Sequence, residues 1–161
     1  MISPDDCYLA ALRILNYRFN SEEELRRKLR SKRFDRATID ETVARLRDEK
    51  WLDDERFAGA FVRTRQQKKI GPKRIERELQ AAGVDRDTAR RVVRENEDPD
   101  REREDLQAAC AKRKRILIRR HGEAYLETAE GRKKLAAYLL NQGYDSALVQ
   151  SVIKESPVAD D

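Results

Sequence analysis

The amino-acid sequence predicts an all-α protein: a tandem array of three three-helix modules, elongated and curved. Three observations carry that expectation. Only 6 glycines and 4 prolines interrupt 161 residues rich in Arg, Glu, Leu and Ala, and no alternating apolar run suits a strand. Residues 21–46, 71–96 and 131–156 align column by column without a gap, the mark of a repeated supersecondary unit. Leu, Ile, Val and Phe together number 35. That is too few to fill one large core, and several thin cores suit the composition better.

The first module, residues 1–52, opens with a helix whose apolar positions are Tyr8, Leu12, Leu15 and Phe19. Ser21 caps a second helix, and Glu24 stands where a capping box needs it. Leu25 and Leu29 follow at i,i+4 and share one face. Arg33 ends that helix, Asp35 caps the third, Phe34 and Ile39 bracket the cap as a hydrophobic staple, and Val43 continues the buried stripe.

The second module, residues 53–97, repeats this plan. An aspartate of Asp53-Asp54 caps its first helix, which carries Phe57, Phe61 and Val62. Gly71 takes the N-cap column, with Pro72 in the first turn, where its missing N–H costs nothing. Ile75/Leu79, Gly83, Val84, Asp85, Ala89 and Val93 occupy the remaining columns. Glu95 to Asp100 is polar and broken by Pro99, and reads as a linker.

The third module, residues 98–156, runs through Leu106, Cys110 and Leu117, then Gly131, Leu135/Leu139, Gly143, Tyr144, Asp145, Val149 and Ile153. Ser21 to Gly71 is 50 residues and Gly71 to Gly131 is 60. The extra ten are expected to lengthen the module's first helix and the loop around His121-Gly122. Residues 157–161 form an acidic tail, expected to fray.

Chemistry is sparse. His121 is the only histidine and sits at a helix end, where a cationic or donor side chain is favoured for structural reasons. One histidine and two cysteines 103 positions apart, Cys7 and Cys110, do not make a zinc site. No phosphate-cradling glycine loop and no nucleophile elbow is present. Asp5-Asp6 and Asp53-Asp54 are helix caps before they are metal ligands. The expectation is therefore a non-enzyme with no metal, cofactor or small-molecule substrate. No run of apolar residues reaches membrane-span length, and residues 1–6 lack a basic and apolar leader. The chain is accordingly expected to be cytoplasmic, with reduced, buried cysteines.

Charge is more informative. The formal net charge is +5. Between Arg56 and Arg74 stand Arg56, Arg63, Arg65, Lys68, Lys69, Lys73 and Arg74 with no acidic residue; between Lys112 and Arg120 stand Lys112, Arg113, Lys114, Arg115, Arg119 and Arg120, again with none. Acid-free runs in a chain with 31 Asp and Glu point to a polyanion or an acidic protein surface. The helix–turn–helix pairs do not suit base-specific reading: the corresponding helix is acidic in the first module and nearly uncharged in the third. DNA, single- or double-stranded, would be bound independently of sequence. The competing reading is a helical-repeat protein that grips an acidic protein partner without nucleic acid.

Asp53-Asp54-Glu55-Arg56-Phe57-Ala58, then Arg63, then Gly71-Pro72-Lys73-Arg74-Ile75 with Glu78-Leu79 and Gly83, resembles the RecX family, bacterial regulatory proteins that bind and usually inhibit the RecA recombinase. The resemblance spans nearly the whole chain and departs from the family at Trp51-Leu52 and in the longer third module. It implies docking on the RecA–DNA filament and suppression of strand exchange, ATP hydrolysis or coprotease activity. The thirteen basic residues named above would then face the filament's phosphates or acidic rim.

Overall fold

A computed structural model describes residues 4–155; the acidic tail lies outside them. Among the described residues there are nine α-helices, one 3-10 turn and no strand: α1 (Pro4–Tyr17), α2 (Glu22–Ser31), α3 (Arg36–Asp48), α4 (Asp54–Gln67), α5 (Pro72–Ala81), α6 (Arg86–Glu95), α7 (Pro99–His121), the 3-10 turn Glu123–Glu127, α8 (Ala129–Asn141) and α9 (Ser146–Glu155). The all-α class and the tandem helical modules are as the repeat predicts. The chain divides into two compact units: residues up to Val62 together with Glu78–Val92, and Arg63–Arg77 together with the residues from Val93 on. The divisions fall inside α4, α5 and α6.

In the first unit α1, α2 and α3 pack on one another around Cys7, Ala11, Leu25, Leu29, Ile39, Val43, Leu46 and Leu52. Phe57, Ala58, Val62, Leu79, Ala82 and Val84 are buried in the same unit. One core expectation fails here. Phe19 is half exposed, because α1 ends at Tyr17 and the helical spacing that would turn Phe19 inward stops with it. Cys7 and Ala11 are the fully buried residues of α1. Small side chains there let α1 approach its neighbours closely.

In the second unit α7, α8, α9 and the 3-10 turn pack around Leu106, Cys110, Leu117, Leu126, Leu135, Leu139, Tyr144, Val149 and Val152. The extra residues lie where the spacing places them: α7 has 23 residues against 14 in α1 and α4, and the 3-10 turn follows it.

The caps repeat with the sequence. Asp35 accepts from Thr38 N at 3.0 Å, Asp85 from Thr88 N at 3.0 Å and Asp145 from Ala147 N at 2.8 Å. The residues that end the preceding helices, Arg33, Gly83 and Gly143, all have positive φ (67°, 91° and 96°), so Arg33 adopts a backbone that glycine enters at lower cost. Ser21 accepts from Glu24 N at 3.1 Å, while the Glu24 carboxylate receives Arg18 at 3.1 Å. The third module departs from the alignment. Thr128 caps α8, accepting from Gly131 N at 3.0 Å, so Gly131 lies inside the helix rather than at its N-cap.

The two glycine turns explain how successive modules join. Ser21, at the start of α2, donates to the carbonyl of Ala82, and a Cβ on Gly83 would overlap the Glu23 side chain. In the second unit Gly71 N donates to Gln142 O at 2.7 Å and Lys73 N to Gly143 O at 3.0 Å. The buried Tyr144 hydroxyl donates to Lys69 O at 2.7 Å, and a Cβ on Gly143 would overlap Arg74. Each time the N-terminal turn of one module's second helix satisfies its polar groups against the next module's glycine turn. The third copy of this site is filled internally: a Cβ at Gly131 would run into the carbonyl of Tyr125 in the 3-10 turn.

Candidate nucleic-acid interface

Helix α7 organises a cationic surface. Asp98 caps it, accepting from Arg101 N at 3.1 Å. Pro99 opens it, no glycine or proline interrupts it, and Gly122 (φ 87°) closes it with a hydrogen bond to Ile118 O at 2.7 Å. Leu106, Cys110 and Leu117 fix the buried face. Lys112, Arg115 and Arg119 then fall within a 60° arc on the opposite face at 100° per residue, spread over about 10 Å of helix. All three are exposed, and none forms an ion pair among the described residues. Arg119, Arg120 and His121 also fill the last turn, where positive charge complements the helix dipole.

The other sequence candidates are placed differently. Arg113 turns inward: its guanidinium lies 4.6 Å from the Tyr138 ring centre, and its Nε is buried without a hydrogen-bond partner among the described residues. Lys114 is half-buried and Arg120 exposed. Lys69 Nζ pairs with Asp105 at 2.7 Å and Lys73 Nζ with Asp145 at 2.9 Å; the ammonium of Lys73 holds the Asp145 carboxyl below the usual carboxylate range. Arg63 and Lys68 are exposed and make no ion pair among the described residues, while Arg65 and Arg74 are half-buried. Arg56 stands apart from the rest. It belongs to the first unit, with its guanidinium 4.9 Å from the Phe19 ring centre, whereas the other twelve candidates fall in the second.

One functional-looking residue escaped the sequence argument. Asp53 does cap α4, accepting from Glu55 N and Arg56 N at 3.0 Å. Asp54 acts on a different helix: its carboxylate accepts from Glu22 N at 2.8 Å and so holds the start of α2. Burial pushes its pKa up, and the nearby Glu22, Asp53 and Asp85 add to that. The doubled aspartate was the available signal, since one helix start needs only one cap.

Among the described residues no group of three or more His, Cys, Asp or Glu could hold a metal ion, and no helix is long and apolar enough to cross a membrane. Cys7 and Cys110 are free and buried, and burial raises both thiols.

Comparison with known proteins gives this arrangement a lineage. Sequence models of the RecX first and second three-helix domains match residues 7–46 and 53–93. A protein of Trichlorobacter lovleyi named Regulatory protein RecX is 32% identical, with 94% of this chain and 96% of the relative aligned. The chain belongs to the RecX family. Another Regulatory protein RecX, from Serratia proteamaculans, is 27% identical over 94% of this chain and 98% of its own. The crystal structure of RecX from Lactobacillus salivarius superposes with a TM-score of 0.77 at 25% identity, covering 94% of this chain and 95% of that one. The Asp53-Asp54 pair, within the matched second domain, is thus a pair of caps serving two different helices.

Proposed function

We propose that this chain regulates recombination by lying on the RecA–DNA filament and suppressing strand exchange, ATP hydrolysis or coprotease activity, without making or breaking a covalent bond itself. Its membership of a family whose relatives carry the name regulatory protein supports the reading. The observation that carries it is the outward face of α7, where Lys112, Arg115 and Arg119 are exposed and form no ion pair among the described residues. Such cations attract a polyanion, whether the DNA backbone or an acidic protein rim, at little cost in broken internal contacts. Arg63 and Lys68 extend the set within the same unit. Lys69 and Lys73 contribute less, because each must leave a carboxylate.

The reading also takes the chain as three modules, 1–52, 53–97 and 98–156, which can make weak contacts with successive filament subunits that add through effective concentration. The test is RecA-catalysed strand exchange and ATP hydrolysis with wild type and with a K112E/R115E/R119E variant. The variant is expected to keep its helicity and lose inhibition. Undiminished inhibition by a folded variant refutes the assignment to α7.

A further inference from the structure

The first unit displays aromatic side chains that its core does not use. Tyr17 is 90% exposed, Trp51 58% and Phe19 52%. Ordered backbone holds all three. The Phe19 segment is fixed by Asn20, which is buried, donates to Arg18 O at 2.7 Å and accepts from Lys28 Nζ at 2.7 Å. Trp51 is fixed by its N–H to Leu46 O at 2.8 Å and by the buried Leu52 beside it.

Two contacts tie these segments together. Glu22 N donates to Asp54, three residues beyond Trp51, and the Arg56 guanidinium lies 4.9 Å from the Phe19 ring centre. Cations flank the rings in sequence: Arg13 one helical turn before Tyr17, Arg18 between Tyr17 and Phe19, Lys50 before Trp51, and Arg56 against Phe19. Arg18 pairs with Glu24, whereas Arg13, Lys50 and Arg56 form no ion pair among the described residues. The carboxylates of Asp53 and Asp54 are engaged by backbone N–H groups.

We propose that Tyr17, Phe19 and Trp51 form a stacking platform for the unpaired bases of a single-stranded nucleic acid, with Arg13, Lys50 and Arg56 holding its phosphates. Rings interleaved with unpaired cations are the chemistry that binds a single strand without reading its sequence: the rings take base faces and the cations track the backbone. Aromatics and arginine also enrich protein interfaces. What favours a strand is the alternation of ring and cation along the chain, Arg18 between Tyr17 and Phe19, Lys50 before Trp51 and Arg56 against Phe19, since each nucleotide offers a base and a phosphate together. The proposal goes beyond the phosphate-seeking face of α7. It lies in the other unit and needs bases as well as charge.

Trp51 is the only tryptophan, so its emission reports the platform directly. The full chain is titrated with a short oligothymidylate and with an abasic oligonucleotide of equal length, following emission and the anisotropy of the labelled strand. The base-bearing strand is expected to bind more tightly and quench Trp51, while the abasic strand leaves emission unchanged. Y17A and F19A are each expected to weaken oligothymidylate binding on the order of 5-fold or more, with unchanged abasic binding and helicity. Equal affinity for the two strands, or binding without quenching, overturns the platform and leaves the polyanion reading of α7 standing. No binding of either strand overturns the platform and leaves the α7 face to be judged by the strand-exchange assay. Quenching by an acidic peptide but not by oligothymidylate makes the patch a protein site and also overturns the proposal.

Discussion

Replacing Lys112, Arg115 and Arg119 together by glutamine removes three exposed cations from α7 while leaving its buried side, Leu106, Cys110 and Leu117, intact. Glutamine retains good helix propensity, so the fold is expected to persist. If each cation neutralises one phosphate, the slope of log K against log salt becomes shallower by about 2.7, roughly 0.9 per contact. Over a fourfold change in salt, from 50 to 200 mM, that slope difference corresponds to about a 40-fold change in the ratio of the two affinities. The wild type should therefore hold its largest advantage at 50 mM and lose most of it by 200 mM. Anisotropy titrations of one labelled DNA duplex across a salt series measure both slopes. A control variant, K69Q/K73Q, removes cations already paired with Asp105 and Asp145 and should change the slope less. Equal slopes for the wild type and the α7 variant would refute the reasoning, because the three side chains would then touch no phosphate.

Three further outcomes follow from the packing. D54N keeps an oxygen acceptor for Glu22 N and removes a carboxylate whose pKa burial raises. Wild type binds that proton more tightly folded than unfolded, so its stability falls as pH climbs through the raised pKa; thermal melts should show D54N gaining on wild type from acid to neutral pH. G143A forces alanine to φ 96° against Arg74 and should cost about 2 kcal/mol or more, read as a lower urea midpoint. Y144F strips the buried hydroxyl that donates to Lys69 O and should cost roughly 1–2 kcal/mol by the same measurement.

What could be read from the sequence was local. The Asp35, Asp85 and Asp145 caps and the positive φ at Gly83 and Gly143 each follow from a few adjacent residues in a repeated frame, whereas the same φ at Arg33 does not follow from its residue type. The reading slipped where the frame shifted or where partners are distant. Thr128 captured α8 one turn early, because a threonine three residues before Gly131 caps better than glycine does. Phe19 left the core because α1 stops two residues before it. Among the site candidates, the acid-free run from Lys112 to Arg120 was visible, but its division was not. Arg113 turns to Tyr138, 25 positions away, and Lys69 and Lys73 meet carboxylates 36 and 72 positions along the chain. No helical period or cap rule registers contacts at those separations.

The carbonyl of Tyr125 occupies the berth at Gly131 that the earlier modules keep for a neighbour's glycine turn. A fourth module grafted after α9 by duplication would therefore find no seat until Glu123–Glu127 was cut away, and cutting it would take Leu126 out of the core. The insertion that enlarges the third module thus also fills its own berth.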